Sequence, residues 1–193
     1  MSGLLALITI MVWPVVPLFW IPVHGFPKLF RRLGLLTYVA PLITWLPVAC
    51  LIYIERSLLL SHKIVFPVAV VIAGIIFLIA GTLLHIWTGK LLSIWGLIGL
   101  PEISDAAKSR FVAEGAFSVV RHPTYLAHTM MFLGVFLITG VIALGIITIV
   151  DLLVINLVVI PLEERELLIR FGEDYRRYKE GVPGFFPRIR LRR

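Results

Sequence analysis

The sequence predicts an all-α, polytopic integral membrane protein of about five transmembrane helices, closing with a C-terminal helical hairpin and a cytosolic surface helix. Three observations predict it. The 193-residue chain is 60% hydrophobic with a mean hydropathy of +1.01, more apolar surface than a soluble domain of this length can cover. The apolar residues gather into stretches close to the roughly 20 residues that cross a bilayer. The 18 Lys and Arg sit in short segments between those stretches and in the tail, the pattern of a membrane protein and not of a nucleic-acid binder. One domain is expected over 1–193, with three spans in 1–88 and the half that carries the chemistry in 89–193.

The first span runs from Leu4 to Val23, and Pro14, Pro17 and Pro22 predict that it is kinked. Met1 to Val12 lacks the positive start of a signal peptide, so it is read as part of this span. A basic loop follows with Lys28, Arg31 and Arg32; the second span is Leu33 to Ile54, kinked at Pro41 and Pro47. The next loop holds Glu55, Arg56, His62 and Lys63, and the third span is Ile64 to Trp87. Within the polar segment Thr88 to Val120, Leu91 to Leu100 is apolar but too short to span, which predicts an interfacial or re-entrant piece. Residues 102–110 are charged and expected in solvent.

Spans four and five, Thr124 to Ile138 and Val141 to Ile160, form an antiparallel hairpin about a bend at Thr139 and Gly140. Pro161 to Tyr178 reads as a helix on the membrane surface. Pro161 suits its first position, and Glu163, Glu164 and Glu166 suit the positive end of its dipole. With five spans, 16 Lys and Arg fall on one side and 2 on the other. That places the C-terminus and the long loop in the cytoplasm and the N-terminus outside. The lone Cys50 permits no internal disulfide and is expected as a small buried core residue. No metal-ligand spacing, P-loop or dinucleotide fingerprint is found.

Two polar groups flank the hairpin. Arg121 and His122 precede Pro123, at a helix N-terminus where backbone N–H groups and the dipole favour an anion. Tyr125, His128 and Phe132 share one face of the helix that follows. Glu164 leads an otherwise apolar stripe of Leu168, Phe171, Tyr175 and Tyr178, provided the helix continues through Gly172. A carboxylate there needs a partner, and Arg121, His122 or a cationic ligand are the candidates. A plainer reading makes Arg121 and Tyr125 membrane-rim residues and the glutamates solvated. Asp151 sits mid-span, about 15 Å below the rim, and is expected to make a structural hydrogen bond to His85 or a threonine. His85 and His128 read as packing residues, and His24 and His62 as loop residues.

The stretch from Glu114 through Gly115, Phe117 and Arg121-His122-Pro123-Thr124-Tyr125 resembles the first motif of the isoprenylcysteine carboxyl methyltransferase and phospholipid methyltransferase superfamily. The tail from Glu163-Glu164 through Phe171, Tyr175, Tyr178 and Val182-Pro183 is similar to its second. The resemblance covers about the last 80 residues. It implies a membrane-embedded, S-adenosylmethionine-dependent methyltransferase. Arg121, His122, Pro123, Tyr125, Glu163, Glu164 and Phe117 would line the cofactor site, and Arg121 and Glu164 would act in catalysis. The acceptor would be lipophilic, a prenylcysteine-like carboxylate or a phospholipid amine, reaching the site from the bilayer; neither a protein partner nor nucleic acid is expected. Phe117, Ala127 and Gly184 depart from the usual Tyr, Gly and Arg. Membrane sterol reductases, which use a nicotinamide cofactor, are similar around Arg-His-Pro-x-Tyr. A non-enzymatic carrier or sensor on the same scaffold is the other alternative.

Overall fold

A computed structural model describes residues 2–103 and 111–187 of the chain. Among the described residues four helices are long and apolar enough to cross a membrane: α1 (Gly3–Gly25), α2 (Pro27–Ile54), α3 (Val68–Ser93) and, numbered in chain order, α5 (Ile142–Gly181). Between α3 and α5 lies α4 (Pro123–Thr139), apolar and 17 residues long, at the short end of the spanning range. Among the described residues there is no strand, only an isolated bridge between Lys63 and Val141. The protein is thus an all-α polytopic membrane protein.

The hairpin turn forms where expected. Gly140 adopts φ 66°, ψ 7° and ends α4 with a hydrogen bond from its N–H to the Phe136 carbonyl. The residues ahead of α3 explain why it starts four positions late. Pro67 disfavours helix at the preceding residue. The Ile64 N–H donates to the Gly140 carbonyl at 2.8 Å, and the Ile142 N–H to that of His62 at 3.0 Å. An extended clip thereby holds the hairpin turn. At its other end α3 runs past Trp87 and breaks at Ser93 (φ 64°, ψ 164°). Leu91 and Leu92 therefore belong to the last turn of α3, and the separate piece begins beyond the break at Ser93.

The largest difference is α5. Backbone angles stay helical from Ile142 through Pro161, with a π-helical turn over Ile155–Val159. That turn absorbs the carbonyl left without a partner by Pro161. The helix therefore has no free N-terminus near Pro161. The glutamates are stabilised by cationic side chains, not by a dipole. Forty residues are also twice what the bilayer needs. The apolar part to Ile160 spans, and Pro161 onward projects beyond it. At Gly172 (φ 54°, ψ −124°) the projection turns, so the stripe does not pass through an unbroken helix.

Small residues set the closest helix contact. A Cβ on Gly134 of α4 would lie 2.6 Å from the Leu78 nitrogen of α3, and one on Gly81 would lie 2.8 Å from the Ala127 carbonyl. Backbones this close are the usual solution where lipid removes the hydrophobic drive between helices. Gly74 meets Gly134 and Gly81 meets Ala127, so the pair is antiparallel. A core of Ala6, Ile10, Phe132, Val135, Val141 and Leu144 joins α1, α4 and α5. Cys50 is exposed, contrary to the expected burial. Its neighbour Ala49 takes the buried position of α2, and one residue further on a helix faces about 100° away, here toward lipid. Asp151 is fully buried, but its partners are Trp13, whose Nε1–H donates to Oδ1 at 2.9 Å, and His128. Neither His85 nor a threonine holds it.

Candidate functional site

The hairpin brings the start of α4 against the polar projection of α5. Pro123 occupies the first turn of α4, where its missing N–H costs nothing, and His122 is the capping residue with φ −122°, ψ 58°. The N–H groups of Arg121 and His122 do not await an anion. They donate to the carbonyls of Pro183 and Gly184 at 2.8 and 3.0 Å. The tail is thus stitched back onto the head of α4.

Glu164 is the hub beneath this junction. It is buried at 6% exposure, and its Oε1 lies 2.6 Å from Arg121 Nη2, 2.8 Å from Arg121 Nε and 3.1 Å from His122 Nε2. Lys179 Nζ reaches Oε2 at 2.7 Å. Arg121 Nη1 also donates to the carbonyls of Lys179 and Val182. Burial alone pushes Glu164 up, but its bonds to His122, Lys179 and Arg121 outweigh it and hold the carboxyl at about 2. Burial likewise pushes His122 down, yet Glu163 and Glu164 raise it to about 9. His122 is therefore an imidazolium at neutral pH.

Above the hub lies a cavity of about 600 Å³, in the range of small-molecule sites. Its charged end carries Arg121, His122, Glu163 and Arg170; its aromatic wall is Phe111, Phe117, Phe171, Tyr175 and Tyr178; and Val16, Trp20, Leu91, Leu92 and Trp95 form an apolar wing. Phe111 packs edge-on against Tyr175 and Tyr178 with ring centroids 6.0 and 5.2 Å away. The Tyr178 hydroxyl donates to the Phe117 carbonyl at 2.6 Å. Burial chiefly raises both phenols well above their usual range, so they stay protonated.

Of the residues singled out from the sequence, Arg121, His122, Tyr125, Glu163 and Phe117 line the cavity. Glu164 and Pro123 are buried behind its wall, so Glu163 is the carboxylate that faces inward. Its Oε2 lies 3.4 Å from His122 Nδ1, and that pairing lowers its pKa against the effect of burial. His24 lies in the last turn of α1 and not in a loop. It is buried, stacks on Trp20 and bonds Glu166 Oε2 at 2.8 Å. Glu166 also pairs with Arg170 at 3.4 Å, and the i, i+4 spacing of those two was a usable signal. Nothing local announced His24 or Lys179, since both act across more than a hundred or a dozen residues of chain. Residues 104–110, expected to be solvated, lie outside the described residues. Among the described residues no cluster of His, Cys, Asp or Glu is arranged to hold a metal ion.

Fold and site together define a helical membrane protein with a charged, aromatic-lined cavity at one end of a hairpin. The family model described as phospholipid methyltransferase matches residues 69–174, more than half of the chain, and the protein belongs to that family. It is 28% identical over 118 residues to the cobalt-zinc-cadmium resistance protein CzcN of Cupriavidus metallidurans, covering 55% of this chain and 54% of that one. It is 30% identical over 115 residues to methanethiol S-methyltransferase 1 of Bradyrhizobium diazoefficiens, covering 56% of this chain and 39% of that one. The chain thus aligns with about half or less of these relatives' length. No solved structure matches it.

Proposed function

We propose that this protein transfers a methyl group from S-adenosylmethionine to a lipophilic acceptor, with the reaction chamber at the cytosolic face. The observation that carries the reading is the junction of the two motif ends. Arg121, in the wall of a cavity that is charged at one end and aromatic along its side, touches Glu164 behind it at 2.6 Å.

The residues present fit the cofactor. Thr124 Oγ1 and the Tyr175 hydroxyl are buried without a hydrogen-bond partner among the described residues, and both residues line the cavity. A nucleoside with several hydroxyls and ring nitrogens satisfies such groups. Glu163 would hold the ammonium or a ribose hydroxyl, and the Phe111, Phe171 and Tyr178 rings the base. Arg121 has one Nη2 hydrogen beyond the bonds described, and it would take the carboxylate. When bound, the cofactor supplies a methyl group on a sulfonium, a carbon already activated for in-line displacement. The protein's part is to align the acceptor and exclude water. Glu164 and Lys179 act behind the wall, holding Arg121 and His122 in place.

The apolar wing is built by α1 and the end of α3, a lining that suits a lipophilic acceptor. The family's description suggests a phospholipid amine. The relative whose name specifies methanethiol suggests a small thiol. A prenylcysteine-like carboxylate is the third candidate. Calorimetry in detergent tests the reading: purified protein should bind S-adenosylmethionine or S-adenosylhomocysteine, and Glu163→Gln and Arg121→Ala should each weaken binding by roughly tenfold or more, the loss of one charge-assisted bond. Well-folded protein that binds neither, or oxidises NADPH instead, overturns it.

A further inference from the structure

Methylation of an amine or thiol requires that a proton leave the acceptor, and the groups at the charged end are poor recipients. His122 is already protonated, clamped between Glu163 and Glu164. Both oxygens of Glu164 are bonded to cations. His24 is 2% accessible, and its carboxylate partner Glu166 is shared with Arg170 and Arg31.

The remaining imidazole with a carboxylate behind it is His128. It lies two turns into α4, about 9 Å below His122 along the helix, and it lines the same cavity. Its side chain keeps 15% of its surface accessible. Its Nε2 lies 3.3 Å from Asp151 Oδ2, an ion-pair distance without hydrogen-bond alignment. Asp151 is itself fixed by the Trp13 indole N–H, and Phe132 packs on the imidazole with centroids 4.2 Å apart. An acid in a membrane span is costly and marks function by default. Here Trp13 from α1 and His128 from α4 hold the α5 acid against a cavity wall. The titratable groups facing His128 are Asp151 from α5 and His85 from α3, which is within electrostatic range and lines the cavity.

The geometry points to His128 as the general base of the reaction, with Asp151 as its positioning residue. This rests on the methyltransferase reading above. The acceptor's S–H or N–H proton passes to Nδ1 of His128, while Nε2 keeps its hydrogen toward Asp151. The electron pair left on the acceptor forms the new bond to the methyl carbon. The pair of the old carbon–sulfur bond stays on the donor sulfur, which becomes a neutral thioether. The imidazolium so formed is stabilised by the Asp151 carboxylate and returns its proton to water after product leaves.

The test compares acceptors that differ only in whether a proton must be removed. An alkanethiol is protonated at neutral pH and an aromatic thiol is ionised; a primary alkylamine and an aromatic amine make the same pair for nitrogen. With the alkanethiol or alkylamine, His128→Gln should lower turnover by roughly 10²–10⁴-fold, and Asp151→Asn should act in the same direction. With the aromatic partners both variants should keep most of the rate, S-adenosylhomocysteine binding should be unchanged, and His24→Gln should show no such selectivity. The wild type alone gives an independent reading: its pH–rate profile should have an acidic limb near the histidine range with the alkanethiol that a nitro-substituted aromatic thiol, ionised throughout that range, lacks. Equal losses on both members of a pair, selectivity in His24→Gln instead, or identical wild-type profiles overturn the base. A wild type that binds no cofactor and methylates none of the four overturns the methyltransferase reading itself.

Discussion

Glu164 has two oxygens, and three cationic side chains converge on them. Glu164→Gln preserves shape but leaves Arg121, His122 and Lys179 facing one another. Breaking a buried pair costs about 3–5 kcal/mol; because Lys179 is largely in water, roughly 2–3 kcal/mol is expected, read as a lower unfolding midpoint in detergent. A midpoint unchanged from wild type would mean that the junction is not held by charge. The same cluster fixes a pH window. Glu164 falls from an ordinary 4.5 to about 2 on folding, so its contribution is complete above 4.5 and is lost as pH falls through 2. His122 rises from 6.5 to about 9, so its contribution is complete below 6.5 and fades as pH rises through 9. Stability from this junction should therefore plateau between about 4.5 and 6.5. His122→Asn should remove the alkaline decline and leave the acidic one, a comparison that thermal melts across pH decide. The pairing of Arg121 with Glu164 was legible in the sequence, because a carboxylate heading an apolar stripe demands a cation. That Glu164 serves the wall while Glu163 faces the cavity was not, since a single 100° step on a helix whose true start lay 19 residues earlier decides it.

Two glycines show how elements meet, and they are not equivalent. Gly140 takes the left-handed helical conformation at the hairpin turn, and a Cβ there would lie 1.9 Å from the Ile64 carbonyl oxygen. Gly172 lies in a region close to glycine-only, but a Cβ there would meet nothing within 4 Å. Gly172→Ala should thus cost only backbone strain, about 1–3 kcal/mol. Gly140→Ala should cost more than Gly172→Ala, because the clip between the hairpin and the residues ahead of α3 must open as well. Unfolding of the two variants side by side checks the order; equal effects would mean that the clip contributes nothing. The hairpin itself could be read from Pro123 at one end and Gly140 at the other. The length of α5 could not, because Pro161 is as compatible with a helix start as with a helix that has passed through a π turn. The prolines of α1 are met in the same way, by a π-helical turn over Val16–Trp20. At Pro161 the π turn stands where a helix start was expected; in α1 it follows a turn at Trp13 and Pro14, among the prolines where a kink was expected.

At the scale of the whole molecule the five helices alternate in direction, and the polar groups separate to two ends. Gly3, Lys63 and Gly140 lie together at one end, since a Cβ on Gly3 would lie 4.0 Å from Lys63 Nζ and Lys63 bridges to Val141. Arg121, Glu164, His24 and Ser93 mark the other, where the cavity lies. Five passes put the first residues of the chain and its tail on opposite faces. The sequence made that division legible through charge: of the 12 Lys and Arg among the described residues, 10 fall to the cavity end and 2, Arg56 and Lys63, to the far one. Since cationic loops are retained on the cytoplasmic side during insertion, the imbalance supports the proposal that the cavity faces the cytosol. Cysteine labelling checks this in a Cys50→Ser background, which removes the sole native thiol. Lys63→Cys and Glu173→Cys each present a thiol at one end, on residues exposed to solvent. In sealed vesicles with the cytoplasmic face outward, a membrane-impermeant maleimide should modify Glu173→Cys at once and Lys63→Cys only after detergent. The reverse order would turn the molecule over, and the acceptor would then have to meet its cofactor on a face where the cell does not make it.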